Sequence, residues 1–423
     1  MYKNTEGVYK NAMRIQKQGV YLAKIYTMSH PLSERIKSLP ASETLVMAAK
    51  ARELKNQGKD IIGLSLGEPD FNTPEFIKEA AIEAINADYN SYTPVDGYVE
   101  LKEAICTKFK RDNGLEYAPS QIVVSTGAKQ SIANVVQVLV NPGDDVLLVA
   151  PYWVSYSAMV ILAEGNPIEI RSGIETDFKI TAEQLEAAIT PKTKLVMLNS
   201  PNNPSGSVYS KKEYEALAAV LEKHPNIYVM SDEIYEHINY DGVTPFSFAA
   251  IPSMYDRTVT VNGLAKAFAM TGWRIGYLGA PEWIAKACTK MQGQVTSGTN
   301  CIAQRAAITA VLAPVGKIKF MVDEFDFRRK RIIDLLQDIE GFEVNVPKGA
   351  FYVFPDISSF FGKKLKGKLI ENASDFAMYL LEEALVATVT GDAFGCPNNI
   401  RISYAASLEE IEEALRRIKK AVS

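Results

Sequence analysis

"QIVVSTGAKQ", residues Gln121 to Gln130, changes its period half-way. Ile122, Val123 and Val124 form an uninterrupted, β-branched apolar run, the pattern of a strand buried on both faces. Gly127 punctuates it, and from Lys129 to Val140 the apolar residues fall at helical spacing. The same unit returns along the chain. "DVLLVA" (145–150) precedes a helical stretch from Trp153 to Ala163, and "KLVMLN" (194–199) precedes one from Lys211 to Lys223. "IYVMSD" (227–232), "TVTVNG" (258–263) and "IGYLGA" (275–280) complete the set of buried runs. Apolar strands alternating with amphipathic helices predict an α/β fold on a mostly parallel sheet flanked by helices.

Beyond about residue 315 the texture changes. A long charged helix (Gly316 to Asp338), a strand "GAFYVFPD", a helix near Ser374 to Ala384, strands "VATVTG" and "NNIRISYA", and a last helix from Leu408 to Ala421 predict a smaller α+β domain. The expected division is an N-terminal extension over 1–27, an arm and part of the small domain over 28–74, a large domain over 75–314 and the small domain over 315–423. The extension is basic and amphipathic, without the apolar centre and cleavage site of a secretory signal.

A chain of 423 residues with 47% apolar and 23% charged residues is an ordinary folded globule, too long for a single core. Its net charge of -4 gives no pull toward nucleic acid or anionic lipid. No apolar run approaches a membrane span. The four cysteines, 106, 288, 301 and 396, show no CxxC spacing, and the three histidines never fall at a ligand interval. The expectation is a reduced, cytoplasmic, metal-free protein with no nucleic-acid or membrane partner.

Open α/β sheets bind ligands beyond the carboxyl ends of their strands, and several strand ends here carry chemistry. The turn at Gly127, Ala128 and Lys129 opens a helix whose free amides suit a phosphate. "VMSDEIY" ends an apolar strand in Asp232, Glu233 and Tyr235, where a carboxylate must be solvated, paired or functional. In "NGLAKAFAMTGWRIGY", Lys266 stands between two alanines after an apolar strand. Desolvation there lowers its pKa and frees the neutral amine for a carbonyl.

"PNNPSG", "SDEIYEH", "NGLAKAFAMTGWRIGY", "GAFYVF" and "RISYA" follow one another in an order and spacing that resemble the pyridoxal-phosphate-dependent aminotransferases of fold type I. "KAFAMTGWR" and "PYWVSY" are similar to the bacterial aspartate (aspartate/prephenate) aminotransferase branch. The resemblance runs from about Leu32 to the C-terminus. It implies a seven-stranded sheet, pyridoxal 5'-phosphate as cofactor, and Lys266 as the lysine that bonds it. It assigns Asp232 to the pyridine nitrogen, Tyr235 and Asn203 to the ring's phenolic oxygen, Trp153 to the ring face, and Arg274 with Gly127, Ala128 and Lys129 to the phosphate. Where some members place phosphate-binding serines, this chain has Ala265 and Gly263. Tyr92 resembles the tyrosine that reaches the phosphate of a neighbouring subunit, which implies a homodimer with shared sites.

For substrate, the resemblance points to Arg401 as a two-pronged grip on the α-carboxylate, with Gly67, Asn203 and Trp153 beside it. Lys129, Ser42 and Thr44 resemble a device for a distal carboxylate. The implied reaction is ping-pong transfer of an amino group from an amino acid, aspartate first, to a 2-oxo acid such as 2-oxoglutarate. Glu43 adds a negative charge beside that device, and Pro40 stands where prephenate-using relatives have a basic residue, so prephenate ranks second. Aromatic or alanine specificity, and a β-lyase that shares Lys266, Asp232 and Arg401, are the alternatives. A cofactor-binding regulator would need a DNA-binding domain, for which 27 residues are too few.

Overall fold

The computed structural model describes residues 32–39 and 43–423. The chain divides into two units, Met1–Pro40 and Ala41–Ser423. The described part of the first is one exposed helical turn, Glu34–Lys37.

Seven strands form the main sheet of the second unit: β1 (Ile122–Thr126), β2 (Asp145–Ala150), β3 (Asn166–Arg171), β4 (Thr193–Asn199), β5 (Tyr228–Asp232), β6 (Thr258–Gly263) and β7 (Ile275–Gly279). Their order is β1-β7-β6-β5-β4-β2-β3. Only β7 runs antiparallel to its neighbours, β1 and β6. The other six therefore share one direction, and their carboxyl ends lie along one edge of the sheet. The Lys266 to Arg274 segment joins β6 directly to β7, so the connection stays at that same edge. β1, β2 and β4 to β7 are almost continuously buried, as their apolar runs require.

Helices α1 (Ala128–Leu139) and α2 (Ser155–Leu162) follow β1 and β2. Gly276 of β7 fixes where α1 begins. A Cβ there would lie 2.0 Å from the Ala128 amide nitrogen, so only glycine lets the strand pass under the helix start. The helix Lys211–Leu221 opens with a Ser210/Glu213 capping box, and the C-terminal helix Leu408–Val422 with Ser407/Glu410. Helix α1 opens at Gly127 with no side-chain cap and no acidic residue in its first turn.

A three-stranded antiparallel sheet, β9-β10-β8, comes from β8 (Tyr352–Val353), β9 (Val389–Thr390) and β10 (Ile400–Ser403). Ile62–Gly63 pairs in parallel with Val386–Ala387, and Leu64 is tied to both sides, donating to Ala387 and accepting from the Ser403 amide. These bonds hold the Ser65 to Gly67 segment against β10.

Most predicted elements form where expected, and the differences have physical reasons; the helices Glu75–Asn86, Val99–Lys108, Glu282–Val295 and Cys301–Leu312 were not anticipated. β3 is a strand that the apolar-run reading passes over. It is an edge strand with Asn166, Glu169 and Arg171 facing out, so it lacks a continuous apolar pattern. "VATVTG" is not one strand: it breaks at Thr388 into two short pairings with different partners. "GAFYVFPD" narrows to Tyr352–Val353.

Candidate active site

A cavity of about 550 Å³ lies at the carboxyl edge of the main sheet. Each element delivers to it the residue that follows its strand: Lys129 after β1, Trp153 after β2, Asn203 after β4, Asp232 and Tyr235 at β5, Lys266 after β6, and Arg274 at the start of β7. From the opposite side, β10 supplies Arg401, β8 supplies Tyr352, and the tied segment supplies Ser65 and Gly67.

The Lys266 amine donates to the Gly67 carbonyl. The Tyr235 and Phe351 rings lie 5.8 and 5.9 Å from the nitrogen, and the Glu68, Asp232, Arg274 and Arg401 charges also act on it. Burial first, and then repulsion from Arg401, lower its pKa to about 8. A substantial neutral fraction near physiological pH is the state a nucleophilic amine needs.

Asp232 ends β5 and is buried. Its Oδ2 accepts from the Tyr156 hydroxyl at 2.6 Å and its Oδ1 from the Ile234 amide at 3.2 Å. Burial raises its pKa to about 6 despite those bonds. A carboxylate in this position is short of a cation, and a pyridinium N–H in the cleft would supply one. Glu233, singled out beside it, turns away. It accepts from the Ser231 and Ser247 hydroxyls at 2.9 and 2.8 Å and belongs to the packing behind the sheet.

The Arg401 guanidinium is buried over the Tyr352 ring, 4.7 Å from its centre. It donates to Asn203 Oδ1 at 2.9 Å and to the Ser65 carbonyl at 2.6 Å, while its Nε has no hydrogen-bond partner. No carboxylate neutralises it among the described residues. Asn203 spends its oxygen on Arg401 and retains its amide hydrogens as donors. The Tyr235 hydroxyl lies 2.8 Å from that of Tyr352.

The first turn of α1 has the features of an anion site. The Ala128 and Lys129 amides have no acceptor among the described residues, and the helix dipole adds positive potential. Arg274 adopts a left-handed backbone (φ 58°) and donates only to carbonyls, Thr271 at 2.9 Å and Thr126 at 3.4 Å. Its guanidinium occupies the space a Gly127 side chain would need: a Cβ there would meet Nη2 at 2.4 Å. The Lys129 ammonium sits 4.9 Å above Trp153, its pKa lowered by the cleft walls and by Arg274. Two cations that form no ion pair among the described residues, with two free amides, fit a phosphate.

Thus Gly67, Ala128, Lys129, Trp153, Asn203, Asp232, Tyr235, Lys266, Arg274 and Arg401 converge, with Gly127 against Arg274. Tyr92 does not join them: it is fully exposed, away from the cleft of its own chain. Ser42 and the side chain of Thr44 lie outside the described residues, as does the 1–27 segment. Sequence reading passed over Tyr156, Tyr352 and Ser65. For Tyr156 a signal existed, since it follows Trp153 by three residues at the start of one helix.

With this geometry in view, the comparisons with known proteins are specific. A family model described as aminotransferase class I and II matches residues 59–418. The chain belongs to that family. It is 49% identical over 392 residues to a probable aspartate/prephenate aminotransferase of Rickettsia bellii, covering 92% of this chain and 98% of that one. Identity to an aspartate/prephenate aminotransferase of Cereibacter sphaeroides is 47%, with the same coverage. Among solved structures, the Rhizobium meliloti aspartate aminotransferase superposes with a TM-score of 0.91 at 45% identity, over 93% of this chain and 99% of that one. The Thermus thermophilus aspartate aminotransferase with maleate gives 0.87 at 40%, over 93% and 100%. The fold is that of these aminotransferases, and the chain is a transaminase. No helix of the described residues is long and apolar enough to cross a membrane.

Proposed function

We propose that this aminotransferase uses pyridoxal 5'-phosphate, takes aspartate as its first amino donor, and passes the amino group to a 2-oxo acid such as 2-oxoglutarate. The observation that carries the reading is the Lys266 amine, lowered to about 8, in one cleft with the buried Asp232 carboxylate and the unneutralised Arg401. When bound, the cofactor draws electron density from the substrate's α-carbon into its ring.

The chain's residues do the rest. Lys266 would hold the cofactor through its amine, and that amine, once free, would move the α-proton as general base and acid. Asp232 holds a proton on the ring nitrogen, and Tyr235 and Asn203 donate to the phenolic oxygen. Trp153 covers the ring face, while Gly127, Ala128, Lys129 and Arg274 hold the phosphate. Arg401 grips the α-carboxylate, with Gly67 alongside. Tyr92, exposed in its own chain, would complete the phosphate site of a second copy, which makes a homodimer the working unit. Residues 75–314 serve as the cofactor domain and 315–423 as the smaller domain, in a cytoplasmic enzyme.

Lys129 at the cleft, with Ser42 and Thr44, favours a donor with a second carboxylate. Maleate, the dicarboxylate in the Thermus structure, supports this choice. Prephenate is a second acceptor, favoured by relatives named for it. Lys129→Ala keeps the backbone amide that faces the phosphate and removes only the ammonium, so it should lower kcat/KM for aspartate about a hundred-fold or more and for alanine far less. Equal losses would assign Lys129 to the phosphate alone. For the cofactor itself, borohydride reduction and peptide mapping should place the label on Lys266; a label on any other lysine overturns the assignment.

A further inference from the structure

We propose that Tyr156 is a positioning residue that keeps Asp232 charged, so that the proton it shares with the bound cofactor's ring nitrogen stays on the ring. The inference rests on the cofactor assignment above. Tyr156 lies in α2 with its ring fully buried, edge-on to Trp153 at 5.6 Å and 87°. One turn of chain thus carries both the cleft-wall aromatic and the donor to the buried carboxylate behind it.

The phenol is the stronger of two donors to Asp232. Its 2.6 Å contact falls in the range of a charge-assisted O–H···O⁻ bond, whereas the Ile234 amide stands at 3.2 Å. No lysine or arginine forms an ion pair with Asp232 among the described residues. The titratable groups that influence the pair are Lys266 from the β6–β7 connection, Tyr235 after β5, and Tyr214 from the helix Lys211–Leu221. Burial holds the Tyr156 phenol protonated well above its ordinary range, so it remains a donor at working pH. Burial pushes Asp232 up to about 6, and the phenol opposes that rise. Loss of the donor makes the carboxyl more basic, and the shared proton then moves from the ring to Asp232.

Tyr156→Phe removes one oxygen and keeps the ring in place. In cofactor-free protein with ¹³C-labelled aspartate carboxyls, the Asp232 signal is assigned by its loss in Asp232→Asn. Its midpoint should rise by about one unit or more in Tyr156→Phe. In the loaded enzyme, kcat should fall about ten-fold or more with KM for aspartate nearly unchanged. In an Asp232→Asn background the same substitution should add nothing. An unmoved midpoint, an unchanged kcat, or an equal loss in both backgrounds overturns the proposal. Failure of the cofactor assignment is distinguishable, because the wild-type borohydride label would then miss Lys266 while the cofactor-free titration still reads the Tyr156–Asp232 bond.

Discussion

An ammonium at Lys266 would be buried, with one backbone carbonyl, two aromatic faces and the repulsion of Arg401, against which the attraction of Glu68 and Asp232 is not enough to restore its ordinary pKa. A charge so placed costs stability, and the direction with pH follows from where the proton sits. Below about pH 8 the amine is protonated in both the folded and unfolded chain, and the whole penalty is present. Between about 8 and the ordinary value near 10.4 only the unfolded chain keeps the proton, so the penalty fades as pH rises. Lys266→Met in cofactor-free protein should therefore melt higher than wild type at pH 7, with the gain shrinking as pH climbs through 8 toward 10. A melting temperature at pH 7 that is unchanged or lower contradicts this. Lys266, Asp232 and Arg401 were legible in the sequence because each puts a charge where the local pattern is apolar. Tyr352 was not, because a tyrosine in an apolar stretch satisfies the core as well as it satisfies a site, and for Tyr156 the spacing from Trp153 was the one signal.

Among the elements, the β1 strand, its glycine turn and α1 were readable from a change of period within ten residues. What the sequence left open was how closely the pieces approach. Gly276 stands in a different strand from the turn it supports, and only the antiparallel β1–β7 register brings it under Ala128. Gly276→Ala should push the start of α1 away and misplace the free amides, weakening pyridoxal phosphate binding about ten-fold or more. Titration of cofactor-free protein measures this, and unaltered affinity would remove α1 from the phosphate site. The edge strand β3 and the broken "VATVTG" escaped a pattern reading for one reason. At a sheet edge, or where a strand changes partner, burial is no longer continuous and the hydrophobic period disappears.

Across the whole molecule, the site depends on segments far apart in the chain. Lys266 is held by Gly67, Arg401 by Ser65 and Asn203, and Asp232 by Tyr156. No local pattern predicts those pairings; the order of the motifs pointed to the family and to the residues, and only the folded chain shows which of them meet. The same lysine, aspartate and arginine would also serve a lyase, so the decisive question is the fate of the nitrogen. The direct measurement supplies ¹⁵N-aspartate and 2-oxoglutarate to the purified enzyme and follows the label, oxaloacetate and free ammonia together. An aminotransferase gives ¹⁵N-glutamate and oxaloacetate in equal amounts and no ammonia, with no turnover in Lys266→Ala. Release of the label as ammonia, or sustained transfer in Lys266→Ala, would contradict this assignment.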